Sequence, residues 1–168
     1  MTSAGPRLTV RTAEADDVPA LLGFIRELAD YERLSHEVVA DEAGLRSGLF
    51  GENKAAEALI ARYDGEDAGF VLFFRTFSTF LGRPGLYVED LFVRPALRGR
   101  GIGKALLRRV AHLAVERGCG RLEWAVLDWN APAIRFYERV GARPLRDWTT
   151  YRLTGRALAD FAAAPDEP

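Results

Sequence analysis

Three stretches of this chain have residue types and spacing that can do chemistry. The first is Leu86 to Leu107, LYVEDLFVRPALRGRGIGKALL. It opens as a strand pattern and is stopped by Pro95, which cannot donate to a ladder. It continues as Arg98-Gly-Arg-Gly-Ile-Gly-Lys104 into an apolar helical pattern that starts at Ile102. A glycine-rich turn opening a helix presents free backbone N–H groups and a partial positive charge, and so forms an anion site. The second is the carboxylate pair Glu89 and Asp90 within the strand. Regular alternation places Tyr87, Glu89, Leu91 and Val93 on one face and Val88, Asp90 and Phe92 on the other, so the two carboxylates are expected to point opposite ways. The third is the acidic stretch from Glu27 to Glu42, opposite in sign to the basic turn from Arg94 to Lys104.

Two phosphate-loop readings of the turn fail at named positions. A nucleotide P-loop, G-x-x-x-x-G-K-[ST], needs Gly at 98 and Ser or Thr at 105, where this chain has Arg98 and Ala105. The dinucleotide fingerprint G-x-G-x-x-G needs its last glycine where Lys104 stands, and it belongs to an early βαβ unit. What remains is R-x-x-G-x-G, carried by Arg98, Gly101 and Gly103.

Composition narrows the function class. The 168 residues make one ordinary domain, 1–168, with an ordered core over about 7–161 and a frayed tail over 162–168. A formal charge of −1 gives no electrostatic case for nucleic acid. One cysteine excludes an internal disulfide framework and a multi-cysteine metal site, and no metal cluster is expected. The N-terminus lacks a signal-peptide pattern and no apolar run approaches the ~18 residues of a membrane span, so a soluble cytoplasmic protein is the expectation.

The elements that must position these residues follow from periodicity and turn chemistry. Residues 7–12 read as a first strand. Asp16 or Asp17 caps a helix reaching Arg33, with Val18, Leu21, Leu22, Ile25, Leu28 and Ala29 on its core face. Asp41 caps a short second helix to Phe50. Strands at 58–63 and 69–77 flank the turn Asp64-Gly65-Glu66-Asp67, a hairpin signal. Residues 81–85 turn into the central strand. The helix from Ile102 to Arg117 buries Ile102, Leu106, Val110 and Leu113 and stops at Gly118, and a strand at 121–127 follows. A short helix over 131–140 has Pro132 near its start and Gly141 at its end, strands at 143–145 and 148–153 are expected to close the chain, and 157–161 reads as one helical turn. The order β-α-α-β-β-β-α-β-α-β predicts an α+β domain: a mixed, mostly antiparallel central sheet flanked by helices, rather than a purely parallel doubly wound sheet.

The turn Arg98-Gly-Arg-Gly-Ile-Gly resembles the acetyl-coenzyme A pyrophosphate loop of the GNAT superfamily of N-acetyltransferases. The likeness extends to YVEDLFVRPALRGRGIGKALL, to DWNAPAIRFYERVGA downstream and to ELADYE at Glu27–Glu32 upstream. Together these resemble the diamine (spermidine/spermine) N-acetyltransferase branch, from about Val10 to Tyr151. The resemblance implies the acyl-CoA N-acyltransferase fold and an enzyme that moves the acetyl group of acetyl-CoA directly to a primary amine of a small polyamine-like or amino-acid-like substrate, without an acyl-enzyme. It also implies a homodimer.

Site roles follow from the same resemblance, residue by residue. The N–H groups from Gly99 through Arg100, Gly101, Ile102 and Gly103 to Lys104 hold the pyrophosphate, and Arg98, Arg100, Lys104, Arg108 and Arg109 are basic side chains in reach of phosphate or on a solvated face. Leu91, Phe92 and Val93 pair with the pantetheine arm, which Asn130 and Ala133 also touch. Glu89 accepts the amine's proton, and Tyr137 protonates the leaving thiolate. Tyr31, Glu32, Glu89 and Asp90 line the amine site. These types suit acyl transfer. An alkyl amine with a pKa near 10.4 costs about 4–5 kcal/mol to deprotonate at pH 7, which a carboxylate relieves, and a phenol of pKa near 10 can donate to a thiolate. Cys119 has no nucleophilic role in direct transfer, His112 reads as surface, and the role of His36 is left open. Asp30, where family members often carry a basic residue, and residues 77–83, which match no substrate-flanking loop, depart from the polyamine pattern. Protein N-terminal or lysine acetylation, and a non-catalytic acyl-CoA sensor, are the alternative readings.

Overall fold

Alternating apolar residues build the sheet that carries the site. A computed structural model describes residues 7–164. Its contacts divide into two compact units, Met1–Ala125 and Val126–Pro168. In the first, β1 (Leu8–Thr12), β2 (Glu57–Tyr63), β3 (Glu66–Ser78), β4 (Arg83–Val93) and β5 (Leu122–Trp124) lie side by side in chain order. The first three pairings are antiparallel and β5 runs parallel to β4. α1 (Val18–Tyr31) and α2 (Glu42–Phe50) connect β1 to β2, and α3 (Ile102–Glu116) makes the crossover that a parallel pair requires. This is the mixed α+β architecture expected.

Local chemistry sets the joints. Asp64 and Gly65 both have positive φ, 51° and 87°, so the β2–β3 turn is two residues long rather than four, and the ladder closes at Tyr63 opposite Glu66. The Asp41 carboxylate accepts from Gly44 N at 2.7 Å and caps α2 as predicted. Asp17 sits at the start of α1 but its carboxylate takes the Arg11 guanidinium at 2.6 and 2.7 Å, and this partner holds its pKa below the ordinary value. α1 ends with Arg33 at φ 62°, a left-handed position taken by a non-glycine residue, and Leu34 N closes the helix on Ala29 O.

Each sheet face buries its own core. Ala58, Ile60, Phe70, Leu72 and Phe92 pack with Leu21 and Phe24 of α1 and Leu49 of α2. Phe24 is fully buried and stacks on Phe70 at 5.5 Å, worth about 1.5–3 kcal/mol in burial. The helical pattern drawn from sequence omits it, while Ile25 and Leu28 on that pattern are only half-buried. The alternate residues Leu59, Ala61, Val71 and Phe73 are buried on the other side, where α3 crosses the sheet with Ile102, Leu106 and Val110 inside.

β4 does not alternate along its whole length, contrary to the sequence reading. Leu72 pairs with Asp90 but Phe73 pairs with Val88, so Glu89 is an extra residue, a β-bulge. Directly paired residues share a face. Asp90 and Phe92 therefore lie with Leu72 and Phe70 on the α1–α2 face, while Leu86 and Val88 lie with Phe73 on the other. Unbroken alternation would have put Val88 and Asp90 together. The bulge lets two buried apolar residues enter one core and a carboxylate enter the opposite face.

In the second unit, α4 (Ala131–Arg139) and α5 (Gly155–Ala163) are the regular elements among the described residues. The strands expected at 143–145 and 148–153 do not form, and the chain there has no helix or strand. A lone strand pair is marginal unless it buries an apolar face, and Leu145, Trp148 and Tyr151 are all exposed. The element order thus ends in a helix, not a strand. That helix is longer than the single turn predicted and takes in Ala162 and Ala163, which were assigned to the tail. The last residues, 165–168, lie outside the described range.

Candidate active site

The glycine-rich loop is built from β4 outward. A 3-10 turn at Pro95–Leu97 leads to Gly99 and Gly101, and Gly101 at φ 79° is the N-cap of α3. A Cβ in that left-handed conformation costs about 1–2 kcal/mol, which accounts for the glycine. The first helical hydrogen bond runs from Ala105 N to Gly101 O at 2.9 Å. The N–H groups of Ile102, Gly103 and Lys104 therefore have no intrahelical acceptor and sit at the positive end of the helix dipole. Gly99, Arg100, Gly101 and Lys104 are exposed. Such a loop fits a pyrophosphate. β5 pairs with β4 only over Leu86–Val88, so the ladder on that edge stops before Glu89–Val93. This edge, with Leu91, Phe92 and Val93, is where an extended amide-bearing chain can add hydrogen bonds.

The loop's arginines are not all turned toward an anion. Arg94 donates to Glu27 through Nε at 3.0 Å and through its terminal nitrogen at 2.9 Å, donates to Asp67 O at 2.8 Å, and lies 4.8 Å over the Phe24 ring. Arg98 Nε donates to Val93 O at 2.9 Å, and its guanidinium lies 4.2 Å over the Tyr31 ring. Arg100 lies 5.2 Å over the Tyr63 ring. Lys104 and Arg108 remain as exposed cations on α3, along an open concavity of about 460 Å³ that also includes Gly101 and His112.

Beside the loop three carboxylates converge. Glu89 at the bulge is exposed, and Asp90 and Glu32 are half-buried. Burial, then the charges of Glu89 and Glu32, push the Asp90 carboxyl up to about 6. Burial also raises Glu32. The rest of the acidic stretch is differently occupied: Glu27 is held by Arg94, Asp41 caps α2, Asp30 accepts from Ser35 Oγ at 3.3 Å, and His36 and Glu37 form an exposed pair at 3.3 Å. Of the acids between 27 and 42, Glu32 is the one whose charge is felt at Asp90. The Arg94–Glu27 and Arg98–Tyr31 contacts escape sequence reasoning, since partners 67 residues apart leave no local signal.

The remaining predicted residues belong to the second unit, on α4. The Asn130 side chain is the N-cap, accepting from Ala133 N at 3.4 Å, and it is buried. Tyr137 is half-buried with its ring 5.3 Å from Phe136, and Ala142 N donates to its carbonyl in the helix-closing turn. Among the described residues no group of three or more His, Cys, Asp or Glu side chains is arranged to hold a metal ion.

Comparison with known proteins bears on the family and the fold. The model of the acetyltransferase (GNAT) family matches residues 18–142. A thialysine N-epsilon-acetyltransferase of Sus scrofa is 38% identical, over 91% of this chain and 96% of the pig protein. An L-ornithine N5-acetyltransferase of Arabidopsis thaliana is 37% identical, over 89% of this chain and 85% of the plant protein. Among solved structures, an integron cassette protein from the mobile metagenome of V. cholerae superimposes with a TM-score of 0.78 at 27% identity, covering 94% of this chain and 98% of that one. The chain belongs to the GNAT family and is an acetyl-CoA-dependent N-acetyltransferase.

Proposed function

We propose that this enzyme acetylates the terminal primary amine of a small amino-acid-like or polyamine-like substrate. The observation that carries the reading is the group Glu32, Glu89 and Asp90: burial first, and then the charges of Glu89 and Glu32, raise Asp90, and a bound cation would relieve the repulsion. The activities named for the pig and plant relatives, on thialysine and ornithine, support an amino-acid-like substrate with an ω-amine. Bound acetyl-CoA supplies the acetyl group and the thiolate leaving group. The loop N–H groups from Gly99 to Lys104 hold its pyrophosphate, the edge at Leu91–Val93 orients its pantetheine arm, and Asn130 and Ala133 touch that arm. Glu89 takes the proton from the amine nitrogen. Asp90, with a pKa nearer neutrality than an ordinary carboxyl, is the second acceptor at the same bulge. Tyr137 Oη gives a proton to the coenzyme A sulfur. The enzyme works as a homodimer in the cytoplasm; no helix among the described residues is long and apolar enough to cross a membrane.

A thiol-release assay over ω-amino acids, polyamines and lysine-containing peptides tests this. Turnover is expected on the small amines. Glu89→Gln and Tyr137→Phe are each expected to lower kcat on the order of 10²-fold with acetyl-CoA binding retained. Preference for peptides would make it a protein acetyltransferase. Tight acetyl-CoA binding with no turnover across the panel would make it a sensor.

A further inference from the structure

Arg98 opens the R-x-x-G-x-G motif, and its sequence position suggests a cation for phosphate. Its side chain is engaged elsewhere. Nε donates to Val93 O at 2.9 Å, and the guanidinium carbon lies 4.2 Å from the centre of the Tyr31 ring and 5.8 Å from that of Phe92. One turn earlier in α1, Glu27 is held by Arg94, four residues before Arg98. The last turn of α1 is therefore clamped twice to the segment that leads from β4 into the cofactor loop, by two arginines whose partners are spaced as they are. Tyr31 is the last residue of α1, Glu32 its C-cap, and Arg33 is fixed in a left-handed turn closed by Leu34 N on Ala29 O. The link from the stacked ring to the Glu32 carboxylate is one residue long and has little freedom.

We propose that Arg98 is a positioning residue for the amine site, acting through Tyr31 to hold Glu32 beside Asp90 and Glu89. The assignment rests on the function proposed above. A planar guanidinium can stack and donate at once, and a lysine ammonium cannot reproduce both. Arg98→Lys keeps the charge near the loop and removes the clamp.

The test is steady-state kinetics with acetyl-CoA and three amine probes, L-thialysine, L-ornithine and spermidine, on the wild-type chain, Arg98→Lys, Tyr31→Leu and the Arg98→Lys/Tyr31→Leu double variant. Loss of the clamp is expected to raise the amine KM about tenfold, in Arg98→Lys through the Val93 hydrogen bond and the ring contact and in Tyr31→Leu through the ring contact. The acetyl-CoA KM is expected within about twofold of wild type and kcat within about threefold, a split that a general folding defect would not give. The double variant is expected to be no worse than either single one. A raised acetyl-CoA KM with unchanged amine KM would return Arg98 to the phosphate site and overturn the proposal. So would effects that multiply in the double variant. A wild-type chain that binds acetyl-CoA but turns over none of the probes would overturn the proposed function and this assignment together. Turnover with an unmoved amine KM in Arg98→Lys would overturn this assignment alone.

Discussion

Asp90 and Glu32 are raised by burial, while Asp17 and Glu57 are lowered by arginine partners. Burial and the charges of Glu89 and Glu32 raise Asp90 from 3.8 to about 6. Between those values the folded chain binds more protons than the unfolded one, so this group's contribution to stability falls as pH rises through that window. Asp17 and Glu57 work the other way. Arg11 and Arg117 hold their pKa values down, so their contributions are present above the ordinary carboxyl range and are lost as pH falls through the depressed values. Asp90→Asn removes the penalty of a charged Asp90. Denaturant melts are expected to show the variant more stable than wild type near pH 7, by on the order of 1–3 kcal/mol, with the gain vanishing near pH 4. A gain independent of pH would mean that the side chain's packing, not its charge, sets the difference. If the proposed amine site is correct, the amine KM of the same variant is expected to rise, since one of the three carboxylates proposed to face the amine has gone. Glu89, by contrast, is exposed and sits where the ladder gives it no partner. Its role as proton acceptor was assigned from resemblance, and the bulge that presents it lies outside any local pattern.

At the scale of elements, β4 with its bulge and α3 with its glycine cap make one unit of chemistry. The ladder to β5 stops at Val88, the bulge follows at Glu89, and the loop begins after Val93. The loop was legible in the sequence because each of its features is local: a proline stop, glycines, and an apolar pattern restarting at Ile102. The bulge was not, because it answers to pairing with Phe73 and Leu72 and to the separate cores on the two sheet faces. The closing strands misread at 143–153 failed for the same kind of reason, since apolar and β-prone residues there find no face to bury. Gly101→Ala tests the loop as an element. Holding alanine at φ 79° is expected to cost about 1–2 kcal/mol at the start of α3 and to weaken acetyl-CoA binding about tenfold or more, read by calorimetry alongside a thermal melt. Unchanged binding and melting would show that the cap conformation matters to neither.

For the whole molecule, a homodimer is the expected working form. The second unit leaves Trp148, Tyr151 and Phe161 at 77%, 92% and 75% exposure, apolar side chains that association would cover. Sedimentation equilibrium is expected to give twice the 18.6 kDa chain mass, with Trp148→Glu or Phe161→Glu shifting it toward one; a wild-type monomer at all concentrations would refute this. By itself the sequence determined the sheet class, the crossover helix, the glycine-rich loop and the family, because these rest on periodicity, turn residues and a contiguous motif. Only the tertiary structure decided how the charges are spent. Arg98 reads from sequence as a cation for phosphate, and Glu27 and Arg94 only as the ends of an acidic and a basic stretch, yet the three clamp α1 to the segment after β4, while Glu32 after α1 and Asp90 on β4 are brought close enough to feel each other's charge. An ionic side chain's role depends on which partner lies within a few ångströms, and that distance is set by the packing of helices on the sheet, not by spacing along the chain.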